Sequence, residues 1–283
     1  MITSNGYVLD ESADRLGYLE PVPDRERDDR DAMWARARED GYLYLPGQLD
    51  ADTVNRFREY YFSKLEPTGL LEPGTHPGLG VGAQGDVDRG LMREILFGDI
   101  VPGANYEALT AHPAIWGWFS WFFEDEVFLH KRKIIRHIRP GESGIGTATQ
   151  AHYDLVYLRE GSDRVLSMWI PLGDCPVEMG GLAYLEGSHH WALAGERDKG
   201  IRLPPRSMTA DLPGLANEHD ARWLLADYQA GDVMVHSAYM VHASTDNVDQ
   251  SSRIRLSTDI RYQRAGEPID WRWQEHWNPD DGL

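Results

Sequence analysis

The 283-residue chain has one cysteine, Cys175, so no disulfide can form within it. That fits a reducing compartment, and the expected location is cytoplasmic. Positive charge is also scarce: 28 Lys and Arg stand against 46 Asp and Glu, a formal net charge of −18. Nucleic-acid binding needs clustered positive charge against phosphates, so that partner class is set aside. The same deficit argues mildly against a highly anionic substrate, although a local basic pocket can survive inside an acidic protein. No apolar run approaches the roughly 20 residues that span a bilayer, so no membrane partner is expected. The opening MITSNGYVLDESADR lacks a basic region followed by an apolar stretch, so it does not read as a secretory signal.

What is present describes an ordinary globular protein. Hydrophobic residues make up 41% and charged residues 26%, enough for one large core. Residues 1 to about 30 are polar, with Pro21 and Pro23, and read as an extended lead-in. DAMWARARED, 31–40, is helical, and GYLYLPG, 41–47, alternates like a short strand. Asp50 or Asp52 can cap a helix whose Val54, Phe57, Tyr61 and Leu65 form one apolar stripe. The Gly- and Pro-rich stretch 66–86 reads as a long mobile loop. AIWGWFSWFFEDEV, 114–127, is a buried helix or helix pair, with Trp116, Trp118 and Trp121 as core.

From residue 128 to 263 the pattern changes to short β-rich runs separated by Gly, Pro, Asp and Ser turns. Such spacing predicts a sandwich or jelly roll. The segment 192–228 between the runs is polar and reads as irregular. One domain over 1–283 is the simplest organisation. It divides into a mostly helical N-terminal layer with a lid loop (about 1–127), a jelly-roll core (128–265) and a C-terminal tail (266–283).

Within that core, QAHYDLVYLREG (150–161) reads as strand and sets His152 and Asp154 on one face. A carboxylate and an imidazole turned inward are costly unless paired or bound to metal. A third ligand must come from a segment that folds back, and GDVMVHSAYMVHAS offers His236 and His242. Two imidazoles and one carboxylate on one side of an ion suit non-haem Fe(II), leaving positions open for a co-substrate and oxygen. Zinc accepts such ligands but usually sits in a more closed, tetrahedral site. Downstream, RIRLSTDIRYQ places Arg253, Arg255, Ser257, Asp259 and Arg261 on one face of a strand. An Arg and a Ser two apart can grip a carboxylate between guanidinium and hydroxyl.

HYD, GGLAYLEGSHHW, GDVMVHSAYMVHASTDN and RIRLSTDIRYQ, in that order, resemble the phytanoyl-CoA dioxygenase family of Fe(II)/2-oxoglutarate oxygenases. The likeness extends to REDGYLYLPGQLDADTV and covers most of residues 30–265. It implies a mainly β fold with N-terminal helices, a double-stranded β-helix (jelly roll, cupin-like). It also implies Fe(II) as cofactor, with 2-oxoglutarate and O2 as co-substrates.

Residue by residue, the resemblance makes His152, Asp154 and His242 the iron ligands, with His242 preferred to His236. His236 then packs beside the site. Ser244 would touch the 2-oxoglutarate carboxylate, and Arg255 with Ser257 would grip it. Arg253, eleven residues after His242, is the competing arginine. Trp169 stands where the family often has an aromatic wall near the co-substrate. His189 and His190 are expected to support a loop, and His130 and His137, in the basic strand HKRKIIRHIRP, to lie on a solvated edge, with an inward-facing group of that strand in contact with substrate as the alternative.

The activity implied is oxidative decarboxylation of 2-oxoglutarate coupled to hydroxylation of an unactivated C–H bond. Halogenating relatives lack the carboxylate that Asp154 supplies, so hydroxylation is expected here, with desaturation, ring formation or epoxidation as alternatives where rebound is diverted. The substrate expected is a small organic molecule, a secondary-metabolite intermediate, with 141–150 and the loop 70–90 at the pocket mouth. Two other classes share these features in part. A cupin-type metalloenzyme without 2-oxoglutarate would not need the Arg–Ser strand. A non-catalytic jelly-roll binding module would not need the metal ligands.

Overall fold

The structure is a computed structural model and describes residues 1–278 apart from 143, 201, 204 and 205. Twelve strands are present in the described residues: β1 Thr3–Ser4, β2 Tyr7–Val8, β3 Leu16–Tyr18, β4 Tyr42–Leu45, β5 Val127–Leu129, β6 Ile134–Ile138, β7 Leu166–Pro171, β8 Leu182–Leu185, β9 Trp223–Leu225, β10 Val233–Ser237, β11 His242–Ser244 and β12 Arg255–Arg264. Seven α-helices accompany them: α1 Arg30–Asp40, α2 Ala51–Leu65, α3 Arg89–Ile95, α4 Ala104–Thr110, α5 Pro113–Phe123, α6 Ser188–Arg197 and α7 Leu212–His219.

The larger sheet runs β4-β10-β7-β12-β5, with β6 pairing the other half of β12. The smaller runs β11-β8-β9-β3. All pairs are antiparallel except β3 with β9.

Alternation along each strand decides which side chains meet. On the larger sheet, Leu43, Val235, Met168, Ile170, Leu256 and Ile260 turn outward into a core shared with α2, α4 and α5. Val54, Phe57, Tyr61 and Leu65 form the buried stripe of α2, as their spacing predicts, and Asp50 is its cap. The opposite face carries Tyr42, Tyr44, Trp169 and Met234, which pack on Leu182, Tyr184 and Leu224 of the smaller sheet. The two sheets therefore face each other, and polar side chains of β7, β10 and β12, such as Ser167, His236, Arg255 and Arg261, are enclosed between them. The core is sheet, with helices laid against it.

Several sequence expectations need correction. The lead-in is not merely extended, because β3 completes the smaller sheet and Ser4 is buried, donating to the Ser244 carbonyl at 2.8 Å. Residues 192–228 hold most of α6, all of α7 and β9 rather than irregular chain. Within that segment, Ile201, Pro204 and Pro205 lie outside the described residues. The stretch 66–86 contains two 3-10 turns and two bridges, Leu71 to Gly82 and Val81 to Arg253. On α5 it is Ile115, Phe119, Phe122 and Phe123 that face the core, while Trp116 is exposed. His189 is in the first turn of a helix, its ring fitted against Gly41, where a Cβ would stand 2.5 Å from Nδ1.

Candidate active site

QAHYDL is not a continuous strand. Ala151 and His152 form isolated bridges, and the chain then enters a 3-10 turn at Asp154–Val156. GDVMVHSAYMVHAS is also divided: β10 belongs to the larger sheet and β11 to the smaller. The break between them carries His242 across the sandwich to His152.

There His152, Asp154 and His242 come together, each buried, with one potential ligand atom apiece lying within 4.8 Å of the others. His152 Nε2 lies 3.7 Å, and His242 Nε2 3.8 Å, from Asp154 Oδ1. Each ring's Nδ1 is 2.9 Å from a backbone carbonyl two residues earlier, that of Gln150 and that of Met240. Those carbonyls accept the ring N–H, which assigns the proton to Nδ1 and leaves Nε2 as a lone pair facing inward.

Electrostatics hold this state. Burial pushes both imidazoles below their ordinary range, His242 farther because His152 and His236 stand beside it. Burial pushes the Asp154 carboxyl up, but Arg261, His236 and His242 more than offset it, and it lies well below the usual carboxylate range. Two proton-free nitrogens and an ionised oxygen thus converge on one point. Acceptors crowded together in a buried site are costly unless a cation joins them. The residues present therefore fit a divalent metal with two nitrogen and one oxygen ligand.

Asp154 is held from the larger sheet. Register sets His236 of β10 and Arg261 of β12 on either side of Ser167 of β7, so the three form one row. Ser167 Oγ donates to Asp154 Oδ2, and Arg261 Nη2 donates to Oδ1 at 3.1 Å. His236 Nδ1 meets the Tyr184 hydroxyl at 2.8 Å, and its Nε2 stands 3.5 Å from Asp154 Oδ2 without hydrogen-bonding it. Ser167 was not visible as a site residue in the sequence; its only signal is its position opposite two polar inward residues.

Beyond the triad, an inner cavity is bordered by His242, Ser244, Trp169, Arg255, Ser257 and Thr149, among others. Ser244 Oγ already accepts the Thr149 N–H at 2.8 Å. Trp169 is fully buried on the inner face, its ring 4.8 Å from Tyr228. Arg255 is 2% exposed, its Nε has no hydrogen-bond partner, and no carboxylate among the described residues reaches it. Arg253 is placed differently: it grips Asp249 through Nε at 3.1 Å and Nη2 at 2.6 Å, at the surface.

An outer cavity of about 250 Å³ opens over His152 and Asp154, lined in part by Gly146, Ala148, Thr149 and Gln150. Residues 141–150 thus reach the mouth as expected, although Ser143 lies outside the described residues. The loop 70–90 does not line it. His130 and His137 are not on a solvated edge: His130 Nε2 meets Gln263 Oε1 at 2.8 Å, and His137 Nδ1 meets the Tyr61 hydroxyl at 2.6 Å.

Comparison with known proteins gives the family. The model of the phytanoyl-CoA dioxygenase (PhyH) family matches residues 37–255. The chain belongs to the phytanoyl-CoA dioxygenase family, and with it to the non-haem iron oxygenases that use 2-oxoglutarate. A 1-deoxypentalenic acid 11-beta-hydroxylase from Streptomyces exfoliatus is 29% identical over 245 residues, covering 84% of this chain and 82% of its own. Among solved structures, the carbocyclase SnoK from nogalamycin biosynthesis superposes with a TM-score of 0.58 at 22% identity, covering 89% of each chain. EctD from S. alaskensis with 2-oxoglutarate and 5-hydroxyectoine gives 0.55 at 19% identity, covering 93% of this chain and 88% of its own. At such identities the structures speak to fold alone.

Proposed function

We propose that this protein is an Fe(II)/2-oxoglutarate-dependent hydroxylase acting on an unactivated C–H bond of a small secondary-metabolite intermediate. His152, Asp154 and His242 would hold the iron. Arg255 and Ser257 would grip the distal carboxylate of 2-oxoglutarate, with Ser244 and Trp169 shaping the cavity around it. When bound, the metal and co-substrate supply the oxidising chemistry, and the protein's contribution is placement. Ser167 and Arg261 aim Asp154, the two backbone carbonyls aim the imidazoles, and the sheets exclude water.

The observation that carries the reading is Arg255: a buried guanidinium with no carboxylate partner, facing the same cavity as His242. Leaving such a charge uncompensated is expensive, and a dicarboxylate co-substrate compensates it. A metalloenzyme without 2-oxoglutarate has no use for it. The hydroxylase names carried by the curated relatives support hydroxylation, and so does the presence of Asp154.

The same reading takes the two facing sheets as a double-stranded β-helix and the chain as one domain. Its core is 128–265, its helical layer 1–127 and its tail 266–283, with 141–150 as lid. The entry of β3 and β4 into the core sheets supports a single unit. The lone Cys175, buried and free, suits the cytoplasm.

Anaerobic titration of Fe(II)-loaded protein with 2-oxoglutarate tests the proposal. The visible metal-to-ligand charge-transfer band is expected to appear, and to be lost in Asp154→Ala. A folded, iron-loaded protein without the band would exclude 2-oxoglutarate chemistry.

A further inference from the structure

Arg58 sits in the middle of α2, 6% exposed, with no carboxylate among the described residues within ion-pair distance. Its hydrogen-bond partners are four backbone carbonyls drawn from three separate segments. Nε donates to Gly78 at 2.9 Å, Nη1 to Leu172 at 3.1 Å, and Nη2 to Leu79 at 3.1 Å and to Ile254 at 3.0 Å. The guanidinium also lies 4.7 Å from the centre of the Phe62 ring. Two glycines leave room for it: a Cβ at Gly80 would overlap Nη2, and one at Gly173 would stand 2.9 Å from Cδ. Burial pushes this guanidinium down to about 10, so it stays charged at neutral pH. A charged fork shared among neutral carbonyls makes strong, directional bonds to each of them.

Two of those carbonyls frame the arginine of the inner cavity. Ile254 directly precedes Arg255, and the N–H of Leu172 donates to the Leu256 carbonyl at 2.9 Å. The Ile254 N–H donates to the Gly80 carbonyl at 2.7 Å, and Asn247 Nδ2 donates to the Arg253 carbonyl at 2.8 Å. The main chain is therefore pinned on both sides of Arg255, and Arg58 ties two of the pins to the turn at 77–80. The Arg255 side chain has no comparable support. No side chain among the described residues hydrogen-bonds it, and its Nε has no partner. Its aim into the cavity is set by the backbone that carries it.

From this frame we infer that Arg58 is a positioning residue for co-substrate binding: it fixes the main chain around Arg255, and so the place where a dicarboxylate is gripped. The stretch 66–86 then acts through its turn at 77–80 as a brace behind the inner cavity. The inference rests on the oxygenase reading above, because it takes Arg255 as the group that holds 2-oxoglutarate. Arg58 itself borders neither the inner nor the outer cavity, so its effect passes through the strand.

Anaerobic titration of Fe(II)-loaded protein with 2-oxoglutarate reads that effect through the charge-transfer band. Arg58→Met keeps bulk in the helix and removes every donor. The concentration that half-forms the band should rise roughly tenfold or more, because a grip displaced by a fraction of an ångström loses its fit. Metal affinity, from chelator competition with Co(II), should be unchanged, since no metal ligand touches the frame. Arg58→Lys keeps the charge but offers one point donor to four carbonyls, and should fall between. Gly80→Ala crowds the guanidinium with its charge intact, should raise the requirement too, and stands in if Arg58→Met does not fold. Met33→Ala, a buried truncation in α1 that makes none of these bonds, controls for lost stability and should bind 2-oxoglutarate as the wild type does.

An unchanged requirement in folded Arg58→Met, or in Gly80→Ala where the former does not fold, overturns the inference. So does an equal rise in Met33→Ala, or a loss of metal affinity in step with the rise. The wild-type band separates this inference from the reading beneath it. A band in the wild type with Arg58 without effect removes this inference alone, and its absence from folded, iron-loaded wild type removes both.

Discussion

His152 and His242 are joined backbone to backbone. The His152 N–H donates to the His242 carbonyl at 3.0 Å, the His242 N–H donates back at 2.9 Å, and their ring centres lie 4.3 Å apart. Neither bond involves a side chain. The pair therefore sits at metal-binding distance through main-chain geometry, and the metal finds a site formed in advance. His242→Ala should keep both bonds and the far-ultraviolet circular dichroism of the wild type while losing metal binding and turnover. His152→Ala should behave alike. A variant that retains stoichiometric iron would remove that histidine from the ligand set.

Ser167 makes the next case, because it touches Asp154 and lies outside the metal site itself. Its hydroxyl fixes Asp154 Oδ2, the oxygen opposite the one nearest His152 and His242. Removing such an outer support typically weakens metal binding by roughly 10- to 100-fold. Ser167→Ala should show a loss of that order in a chelator competition with Co(II), with the melting temperature of the apo form nearly unchanged. Unaltered affinity would mean that Arg261 alone positions the carboxylate.

Arg253 and Arg255 separate cleanly by environment. Arg255 is buried and unpaired, so Arg255→Met should raise the 2-oxoglutarate concentration that half-forms the charge-transfer band by roughly 10- to 100-fold. Arg253 is a partly exposed partner of Asp249, and losing such a pair costs at most about 1 kcal/mol. Arg253→Ala should leave the co-substrate requirement alone. The opposite pattern would hand the role to Arg253.

The site was more legible than the fold around it. His152, Asp154 and His242 could be picked out because their residue types and order carry the chemistry. Their local structure was misread for a physical reason: alternation put His152 and Asp154 on one strand face, whereas a 3-10 turn delivers Asp154 to the same place. Single-sequence alternation cannot separate a strand from a bridge followed by a turn. GDVMVHSAYMVHAS looked continuous because both halves are apolar, and nothing local marks the change of sheet near Tyr239. Ser167 was illegible for another reason. Its role depends on cross-strand register, which is a relation between distant segments.

His137 yields the last prediction. It lies on the helix-facing side of β6, where its Nδ1 meets the Tyr61 hydroxyl at 2.6 Å, and a neutral ring can accept there. Burial, with Arg139 and Arg255 adding to it, pushes the imidazole down from its ordinary 6.5 to about 4. The unfolded chain therefore takes up a proton near pH 6.5 that the folded chain resists until about pH 4. The stability that the neutral ring contributes is complete above pH 6.5 and lost as the pH falls through about 4. Between those limits the slope is at most about 1.4 kcal/mol per pH unit for one group. Burial lowers other imidazoles too, those of His130, His152 and His242 among them, so the comparison must be with His137→Gln, which keeps an acceptor for Tyr61 but cannot ionise. Thermal melts from pH 7 to pH 4 should fall more steeply for the wild type than for the variant, the two curves converging toward pH 4. Parallel curves would show that His137 is protonated in the folded protein already, and that its contact with Tyr61 runs the other way.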